Sequence, residues 1–447
     1  MAARANINQW LSLLVNSEAE QAREAIASIS RAIVGRLDGF WKWGWEMEFP
    51  HSLGFGSAGI ALFLSYLAKA SGDRGYLDAA ARLLEEALRG AESLSESPGF
   101  LSGDSGVLWT FEHLNRHLYP ESFPVNLSAA SQQAINHGVS VASQHEVATG
   151  MMDGLSGICL YLAERMPEQA AGKLFESITD RLADLAVEEP PGVVWEISRR
   201  AELELRTIVP GFRSKNRVYI TGAGYGVAGI VGAMIAGCGQ GMANLRTRRV
   251  IERAVSWLLA QRQAGAIAFP QAVGVSVPPR PNGWLVGDPG IAMVLFNAGR
   301  ALGRDDWQAI ALDIAHADAR NCLGQVTSKG APFSLLEGAA GRAHVFNRLF
   351  QATGDPLFAD VARQHYRAVL DSRCRGQGIG GFRFQEIDFK GLLTGAAGVG
   401  LALLAAVSTD EPDWDRAILA SVRHVADQHP ALVPVPHSKT DNVGENS

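Results

Sequence analysis

Two kinds of helical pattern alternate along this chain of 447 residues. Runs that begin with Gly-x-x-Gly are apolar on nearly every side, and the segments between them are amphipathic. A helix that is apolar all round must be covered all round, whereas a helix with one polar face can lie between that covered layer and water. The pattern therefore predicts an inner layer of helices surrounded by an outer layer. The inner runs start at Gly56, Gly103, Gly154, Gly226, Gly287, Gly338 and Gly395.

The seven starts are separated by 47 to 72 residues, which leaves room for one helical hairpin and a loop in each interval. A supersecondary unit repeated in this way indicates an array in which each unit packs on its neighbours. We therefore expect an all-α fold, a closed α/α toroid with seven inner and seven outer helices. The amphipathic segments that would supply the outer helices are 18–37, 77–89, 128–143, 170–187, 245–262, 307–320, 357–371 and 414–427.

The domain organisation follows from the same repeat. One toroid domain accounts for residues 1–430, and the polar tail 431–447 is expected to be disordered. Three connections are too long for simple turns and are treated as insertions near the start of the inner helices: about 188–220, 265–283 and 375–390. The first of these contains a strand-like stretch at 193–197.

Composition excludes several classes of protein. The net charge of −6 gives no strong bias toward nucleic acid or an anionic membrane. No apolar run approaches the roughly 20 residues needed to cross a bilayer, and the N-terminus lacks the pattern of a signal peptide. The four cysteines are widely spaced and form no Cys-x-x-Cys pair, so neither a disulfide framework nor a cysteine-rich metal site is indicated. We expect a cytoplasmic protein without a membrane span or a nucleic-acid partner.

Candidate chemistry lies at the end where the inner helices begin. The residues directly before the first glycines are Phe55, Ser102, Asp153, Tyr225, Val286, Glu337 and Thr394. Unpaired backbone amides and positive helix dipoles at this mouth would favour developing negative charge. The carboxylates and the phenol make acid–base chemistry a hypothesis. The structural alternative is that Ser102, Asp153 and Thr394 are helix N-caps, with Asp104 and Asp288 as first-turn acids that compensate the dipole.

From about residue 54 to 406 the chain resembles the lanthionine synthetase C-like family, which are peptide-cyclising α/α toroids. The resemblance rests on the seven Gly-x-x-Gly starts and on Gly-Trp-Leu-Val-Gly-Asp-Pro-Gly-Ile-Ala at 283–292. It implies a lanthipeptide cyclase that adds a substrate cysteine to dehydroalanine or dehydrobutyrine to form a thioether. The implied partner is a precursor peptide with a leader and a dehydrated core, and a Ser/Thr kinase and a lyase could act upstream.

The departures from the family fall on its zinc site. The three positions that hold Cys, Cys and His in zinc-dependent members correspond to Leu285, Leu336 and Glu337 here. Two leucines and one carboxylate do not supply the three nitrogen or sulfur ligands, so we expect no metal and no cofactor. The family's acid–base histidine corresponds to Tyr225. Cyclase domains of kinase-lyase-cyclase lanthipeptide synthetases resemble the family and also lack these ligands, so zinc-independent cyclisation remains open.

In this hypothesis Glu337 or Asp153 accepts the thiol proton and Tyr225 protonates the α-carbon. The residues expected to contact substrate are Ser102, Trp284, Arg280, Thr394, Arg342 and His344. The basic stretch 199–217 is a candidate for binding an acidic leader or phosphorylated Ser/Thr, and the alternative is a solvated surface segment.

Two other functions stay open at this point. A catalytically inert scaffold that binds leader or dehydrated peptide and partner enzymes would equally tolerate loss of the ligands. The Trp-rich segment 39–49 is interpreted as a cap packed against the edge of the ring, and the functional alternative is an aromatic wall of a substrate groove. An α/α-barrel glycosidase would use Asp153 and Glu337 as paired acids across a Trp-lined cleft. Such barrels usually have six hairpins, and this chain has seven starts.

Overall fold

The computed structural model describes residues 9–35, 48–93, 98–120, 123, 147–208, 217–242, 244–277, 282–325, 332–383 and 388–423. The predicted outer helix 128–143, the candidate Arg280 and the tail 431–447 lie outside these residues. The first seven α-helices are α1 Asn16–Val34, α2 Ser57–Ser71, α3 Arg74–Ser93, α4 Asp104–His113, α5 Leu155–Glu164, α6 Gln169–Leu185 and α7 Arg199–Ile208. The remaining α-helices are α8 Val227–Cys238, α9 Leu245–Ala260, α10 Asp288–Leu302, α11 Asp305–Cys322, α12 Ala339–Thr353, α13 Pro356–Asp371 and α14 Ala396–Val407.

The seven Gly-x-x-Gly runs form the inner helices α2, α4, α5, α8, α10, α12 and α14. In α2 every residue from Ser57 to Ala68 is buried, as the all-round apolar pattern requires. Each inner helix packs against the next along the chain, and α14 packs against α2. The inner layer is therefore a closed ring, which confirms the predicted α/α toroid.

The outer layer also follows the prediction in the described residues. Helices α3, α6, α11 and α13 pack on the inner helices that precede them, and α9 packs on α8. Their buried residues fall on one face, such as Ile251, Val255 and Leu258 of α9. The N-terminal helix α1 packs on α14, so it provides the outer partner of the last inner helix.

The two ends of the chain meet at this seam. The N–H groups of Leu13 and Leu14 both donate to the carbonyl of Ala406, over 2.8 and 3.0 Å. The indole nitrogen of Trp10 donates to the carbonyl of Ala405. These bonds fasten the N-terminal segment to the end of α14 and complete the outer layer.

Backbone hydrogen bonds join the seven inner-helix starts in a closed circle. The N–H of Gly54 donates to Leu101 over 2.8 Å, and the N–H of Leu393 donates to Gly54 over 2.8 Å. The other donor and acceptor pairs, in that order, are Ser102 and Met152, Met152 and Gly224, Gly224 and Leu285, Leu285 and Leu336, and Leu336 and Leu393. Each of these residues lies one or two positions before a first motif glycine, so all seven inner helices begin at the same end of the ring, which we call the mouth.

The amides at the helix starts are paired, contrary to the expectation from the sequence. In five inner helices an N–H of the first turn donates to the carbonyl seven residues earlier. These pairs are Ser57 with Pro50, Leu155 with Ala148, Ala228 with Thr221, Ala339 with Pro332, and Ala396 with Phe389. The loop folds back tightly over the helix start because the motif glycines have no Cβ; at Gly398 a Cβ would lie 1.8 Å from the carbonyl oxygen of Leu392.

The predicted helix 414–427 was wrong in its described part. Residues Asp413–Ile418 form a 3₁₀ helix, which ends at Leu419 with a positive φ of 57°. The segment 411–423, which we call the plug, enters the interior of the ring: Trp414, Ile418 and Leu419 are almost fully buried. Asn297 of α10 donates to the carbonyl of Leu419 over 3.1 Å. Tertiary contacts of this kind override the local helical periodicity.

The strands are short and belong to the insertions. Strands β1 Val187–Glu189 and β2 Gly192–Val194 pair antiparallel, as do β3 Tyr219–Ile220 and β4 Ala272–Val273. The predicted strand at 193–197 is thus present only at its beginning. The pairing of β3 with β4 connects the first insertion to the second. Within the described residues, no helix is both long enough and apolar enough to traverse a bilayer.

Candidate functional site

The seven residues at the mouth differ in accessibility. Phe55 and Ser102 are buried, whereas Tyr225, Val286, Glu337 and Thr394 are partly exposed and Asp153 is 9% exposed. Five of them follow one another around the ring, in the order Asp153, Tyr225, Val286, Glu337 and Thr394. The structure therefore brings Asp153, Tyr225 and Glu337 onto one arc of the mouth, in which Val286 separates Tyr225 from Glu337 and Asp153 is nearly buried.

Asp153 and Tyr225 are held against the same glycine. A Cβ on Gly150 would lie 3.2 Å from the Cα of Tyr225 and 3.3 Å from Oδ1 of Asp153. The other carboxylate oxygen of Asp153 accepts a hydrogen bond from Ser198 Oγ over 2.6 Å. The same hydroxyl accepts from the backbone N–H of Ala201 in the first turn of α7. The first insertion is thus fastened directly to the mouth acid.

Glu337 lies beside Leu285 and Leu336, the other two positions at which the resemblance to the family implies zinc ligands. The N–H of Leu285 donates to the carbonyl of Leu336 over 3.2 Å, so these three residues occupy adjoining steps of the ring. A Cβ on Gly283 would lie 2.6 Å from the Cα of Glu337, which shows how closely the two loops approach. One carboxylate with two hydrocarbon side chains does not fit a zinc site of three nitrogen or sulfur ligands.

The N-cap alternative is not what the structure has. The N-cap residues of the inner helices are the first glycines, and none makes a side-chain cap bond. The hydroxyl of Ser102 instead donates to the carbonyl of Met152 over 2.8 Å, which braces one step of the ring. Thr394 lies at the mouth beside Glu337 in ring order, so its proposed contact with substrate stays a prediction.

Trp284 and His344 lie inside the ring. The indole nitrogen of Trp284 donates to the carbonyl of Ile418 over 2.5 Å, and the side chain is 1% exposed. His344 is fully buried and its Nε2 lies 2.7 Å from Oδ2 of Asp415. Both side chains hold the plug, and the structure gives neither an open surface toward the mouth.

Arg342 acts as a brace behind the mouth. Its guanidinium forms a two-pronged ion pair with Asp318 over 2.8 and 3.0 Å and also donates to the carbonyl of Asn282. Its Nε lies 3.3 Å from Nε2 of His365, whose pKa burial lowers to about 3, with the positive charge of Arg342 adding to the effect. Because Asn282 begins the loop that carries Val286, Arg342 positions one segment of the mouth.

The described part of the basic stretch forms α7. Arg199 and Arg206 both pair with Glu202, over 3.1 and 2.5 Å, and both arginines are exposed. Exposed pairs of this kind contribute little to stability, so the guanidiniums can exchange partners with a ligand. Binding of an acidic leader or a phosphorylated residue here stays a prediction.

A cluster of ionisable groups at the far end of the ring, in which His113 and Glu164 are buried and His117 is exposed, was not found from the sequence. His113, His117 and Glu164 have ligand atoms within 4.8 Å of one another, and the His-x-x-x-His spacing was the available signal. However, Arg416 and Arg423 of the plug reach the same oxygen of Glu164 over 3.1 and 3.2 Å. Two guanidiniums already neutralise this carboxylate and oppose a cation, so the group is an ion network that anchors the plug.

Burial determines the charge states in this cluster. The pKa of His113 is lowered to about 4, chiefly by desolvation, so the ring is neutral near pH 7. Burial alone would raise the pKa of Glu164, but the guanidinium of Arg416 and the hydrogen bonds of His113 and His117 together hold that pKa well below its usual range. The cluster lies at the C-terminal ends of α4 and α5, away from the mouth.

Comparison with known proteins agrees with this architecture. The family model described as "Lanthionine synthetase C-like protein" matches residues 48–419. The solved structure of nisin cyclase is similar to this chain with a TM-score of 0.68 at 16% identity, covering 89% of this chain and 97% of that one.

Two other solved structures are less similar. A sugar epimerase from a ruminal bacterium has a TM-score of 0.44 at 11% identity, covering 86% of this chain and 98% of that one. The unsaturated glucuronyl hydrolase from Bacillus sp. GL1 has a TM-score of 0.42 at 14% identity, covering 87% and 96%. No curated protein matches the sequence. Because the family model covers most of the chain, the protein belongs to the lanthionine synthetase C-like family.

Proposed function

We propose that this protein catalyses thioether ring formation in a dehydrated precursor peptide without using zinc at the mouth. The observation that carries the proposal is the arc of the mouth, in which the partly exposed Tyr225 lies in ring order between the nearly buried Asp153 and the partly exposed Glu337. The toroid of a peptide-cyclase family thus retains acid–base groups where the metal ligands are replaced by Leu285 and Leu336.

The reaction needs one proton acceptor and one proton donor. The acceptor takes the proton of the substrate thiol, and the sulfur then forms a bond to the β-carbon of dehydroalanine or dehydrobutyrine. The electron pair of the carbon–carbon double bond moves to the α-carbon and its carbonyl as an enolate. A donor then protonates the α-carbon, and the proton taken from the thiol restores the donor, so the addition consumes no oxidant or reductant.

Accessibility divides the two carboxylates between these tasks. Glu337 is partly exposed and is the proposed acceptor for the thiol proton. Asp153 is nearly buried beside Tyr225 and already accepts a hydrogen bond from Ser198, which suits a group that orients the phenol and returns its proton. Tyr225 is the proposed donor to the α-carbon.

The pairing of the helix amides changes the source of enolate stabilisation. Those amides donate to loop carbonyls, so they do not form a ready oxyanion hole. The hydroxyl of Tyr225 is the proposed hydrogen-bond donor to the developing charge, with the inward dipoles of the inner helices as a weaker contribution. Loss of this hydroxyl should therefore affect the rate more than substrate binding.

The test uses a dehydrated, cysteine-containing precursor with substoichiometric protein, a thiol-alkylating trap and mass spectrometry. We expect alkylatable cysteine to disappear over many turnovers, and Glu337→Gln or Tyr225→Phe to slow this by about 100-fold or more. Glu20→Gln removes an exposed carboxylate of α1 and is the matched control. Full activity in both mouth variants contradicts the mechanism.

The scaffold alternative gives a different result in the same assay. A scaffold binds peptide without accelerating loss of the thiol beyond the uncatalysed rate, and any effect it has scales with its molar amount. The glycosidase alternative is tested separately by hydrolysis of an oligosaccharide panel. The upstream kinase and lyase remain part of the proposal, since they would supply the dehydro residues.

A further inference from the structure

A cavity of about 300 Å³ opens beside the mouth. Val286 and Gly287 form part of its wall, and Val286 is the mouth residue between Tyr225 and Glu337 in ring order. The rest of the wall comes from the second insertion and from Gln263 in the segment that follows α9, and we call this space the side-chain cavity. It therefore adjoins the sector of the arc that holds two of the three acid–base groups.

The floor of the side-chain cavity is apolar. The apolar side chains that line it are Ile267, Phe269, Pro270, Ala272, Val275, Val277 and Val286. Ile267 is 45% exposed, so its side chain offers apolar surface that a ligand could cover. None of the wall residues that the structure describes carries a charge, and most of their side chains are apolar.

Three primary amides line the cavity: that of Asn282 is bonded to Asp318 and to the N–H of Asp288, and the other two, on the rim, are Gln263 and Gln271. In the described part of the chain the side chains of both make no hydrogen bond. A carboxamide offers one acceptor and two donors, which complements the N–H and C=O groups of a peptide backbone. The combination of apolar floor and amide rim fits a peptide whose side chain enters the cavity while its backbone crosses the rim.

The walls are preformed by buried hydrogen bonds. The carboxylate of Asp288 accepts from the backbone N–H groups of Ala268 and Phe269 over 2.7 and 3.0 Å. The hydroxyl of Thr221 donates to the carbonyl of Pro270 over 2.6 Å. Asp288 thus fastens the second insertion to the start of α10, a role beyond compensating the helix dipole.

We propose that the side-chain cavity binds one uncharged, apolar side chain of the substrate peptide and so determines which residue neighbours the reacting cysteine or dehydro residue. This inference rests on the proposed function. The volume lies at the lower end of the range for ligand pockets, about 300–1,000 Å³, which suits a single side chain of the size of Leu, Ile or Phe.

The chemical preference of the cavity is measured by disulfide tethering, which needs no turnover. Ser276→Cys introduces a thiol at the exposed rim, in a Cys374→Ser background that removes an exposed native thiol. The probes are cysteamine disulfides N-acylated with 3-phenylpropionyl, hexanoyl, succinyl or 4-aminobutyryl groups. Ser256→Cys, on the exposed face of α9, is the matched control.

We expect the two apolar probes to label the Ser276→Cys protein about tenfold more than the charged probes, and all four to label the control equally. Val275→Trp, which fills the cavity, should abolish the preference. If this variant does not fold, Ile267→Ala provides a second test, because removal of apolar surface should weaken the preference. Equal labelling by all four probes at Ser276→Cys overturns the inference.

Assignment of the cavity to the substrate peptide is tested by competition. A dehydrated precursor whose cysteines have been alkylated should protect the Ser276→Cys thiol from the phenylpropionyl probe, and a precursor with its apolar core residues changed to Asp should not. Equal protection by both peptides, or by neither, overturns the assignment. Tethering preference and competition without any cyclisation would contradict the proposed function while leaving the cavity's preference for apolar peptide side chains in place.

Discussion

Protonation of His365 should destabilise the protein as the pH falls. This residue of α13 is 4% exposed, and its Nε2 faces the guanidinium of Arg342. Arg342 donates to Nε2, so the neutral ring is the form that fits. Desolvation and the adjacent positive charge both oppose a second proton and lower the pKa of His365 to about 3.

The size of the effect follows from the difference between the two states. The unfolded chain takes up a proton on this histidine with a pKa of about 6.5, so below that pH the unfolded state binds more protons than the folded state. For a folded-state pKa of about 3, linkage gives almost no loss at pH 8 and about 2 kcal/mol lost from the free energy of unfolding at pH 5. The loss grows until the pH reaches the folded-state pKa.

The measurement is urea unfolding followed by circular dichroism at pH 8, 7, 6 and 5. His365→Gln keeps an acceptor for Arg342 but does not titrate, so its stability should fall by about 2 kcal/mol less than that of the wild type between pH 8 and pH 5. The comparison uses the slope against pH, so a constant cost of the substitution does not affect it. Identical slopes for both proteins would refute the argument that this histidine is buried without its second proton.

Three further predictions concern the ring itself. Gly229→Ala should lower the free energy of unfolding by about 3 kcal/mol or more, because a Cβ would lie 1.9 Å from the carbonyl oxygen of Ala223. The control in the same denaturant titration is Gly75→Ala, which should be nearly neutral because only a flexible side chain lies near that position. Trp284→Phe removes the donor to a buried plug carbonyl and should cost about 1–3 kcal/mol. Asp104→Asn should stabilise the protein at pH 8 by up to about 4 kcal/mol, because burial raises the pKa of that carboxyl to about 7, and the gain should vanish toward pH 4.

The repeat made the toroid predictable from the sequence. A helix that is apolar on all sides, such as Ser57–Ser71, is stable only when a second layer of helices covers it. Seven such helices at similar spacing therefore indicate a closed array. The end of the chain could not be read in the same way. The periodicity at 414–427 indicated a helix. In the structure Asp415 and Arg416 form buried ion pairs on opposite sides of the plug, and the local sequence gives no sign of these distant partners.

The candidate site was predictable in outline and less so in its contacts. The ring of backbone bonds explains why residues before each first glycine meet, which the sequence indicated for Asp153, Tyr225 and Glu337. The sequence did not show that the amides at the helix starts are hydrogen-bonded. Their acceptors are loop carbonyls, and these loops can fold back over the helix starts only because the motif glycines have no Cβ. The link from Asp153 to Ser198 was also missed, since the partner lies 45 residues away in an insertion.

The plug constrains how a peptide can reach the mouth. Asp415 pairs with His344 and Arg348 of α12, and Arg416 pairs with Glu164 at the end of α5. Breaking buried pairs of this kind costs about 3–5 kcal/mol for each uncompensated charge, so the plug does not move aside to let a chain thread through. Under the proposed function, a substrate peptide is therefore expected to lie across the mouth, beside the side-chain cavity.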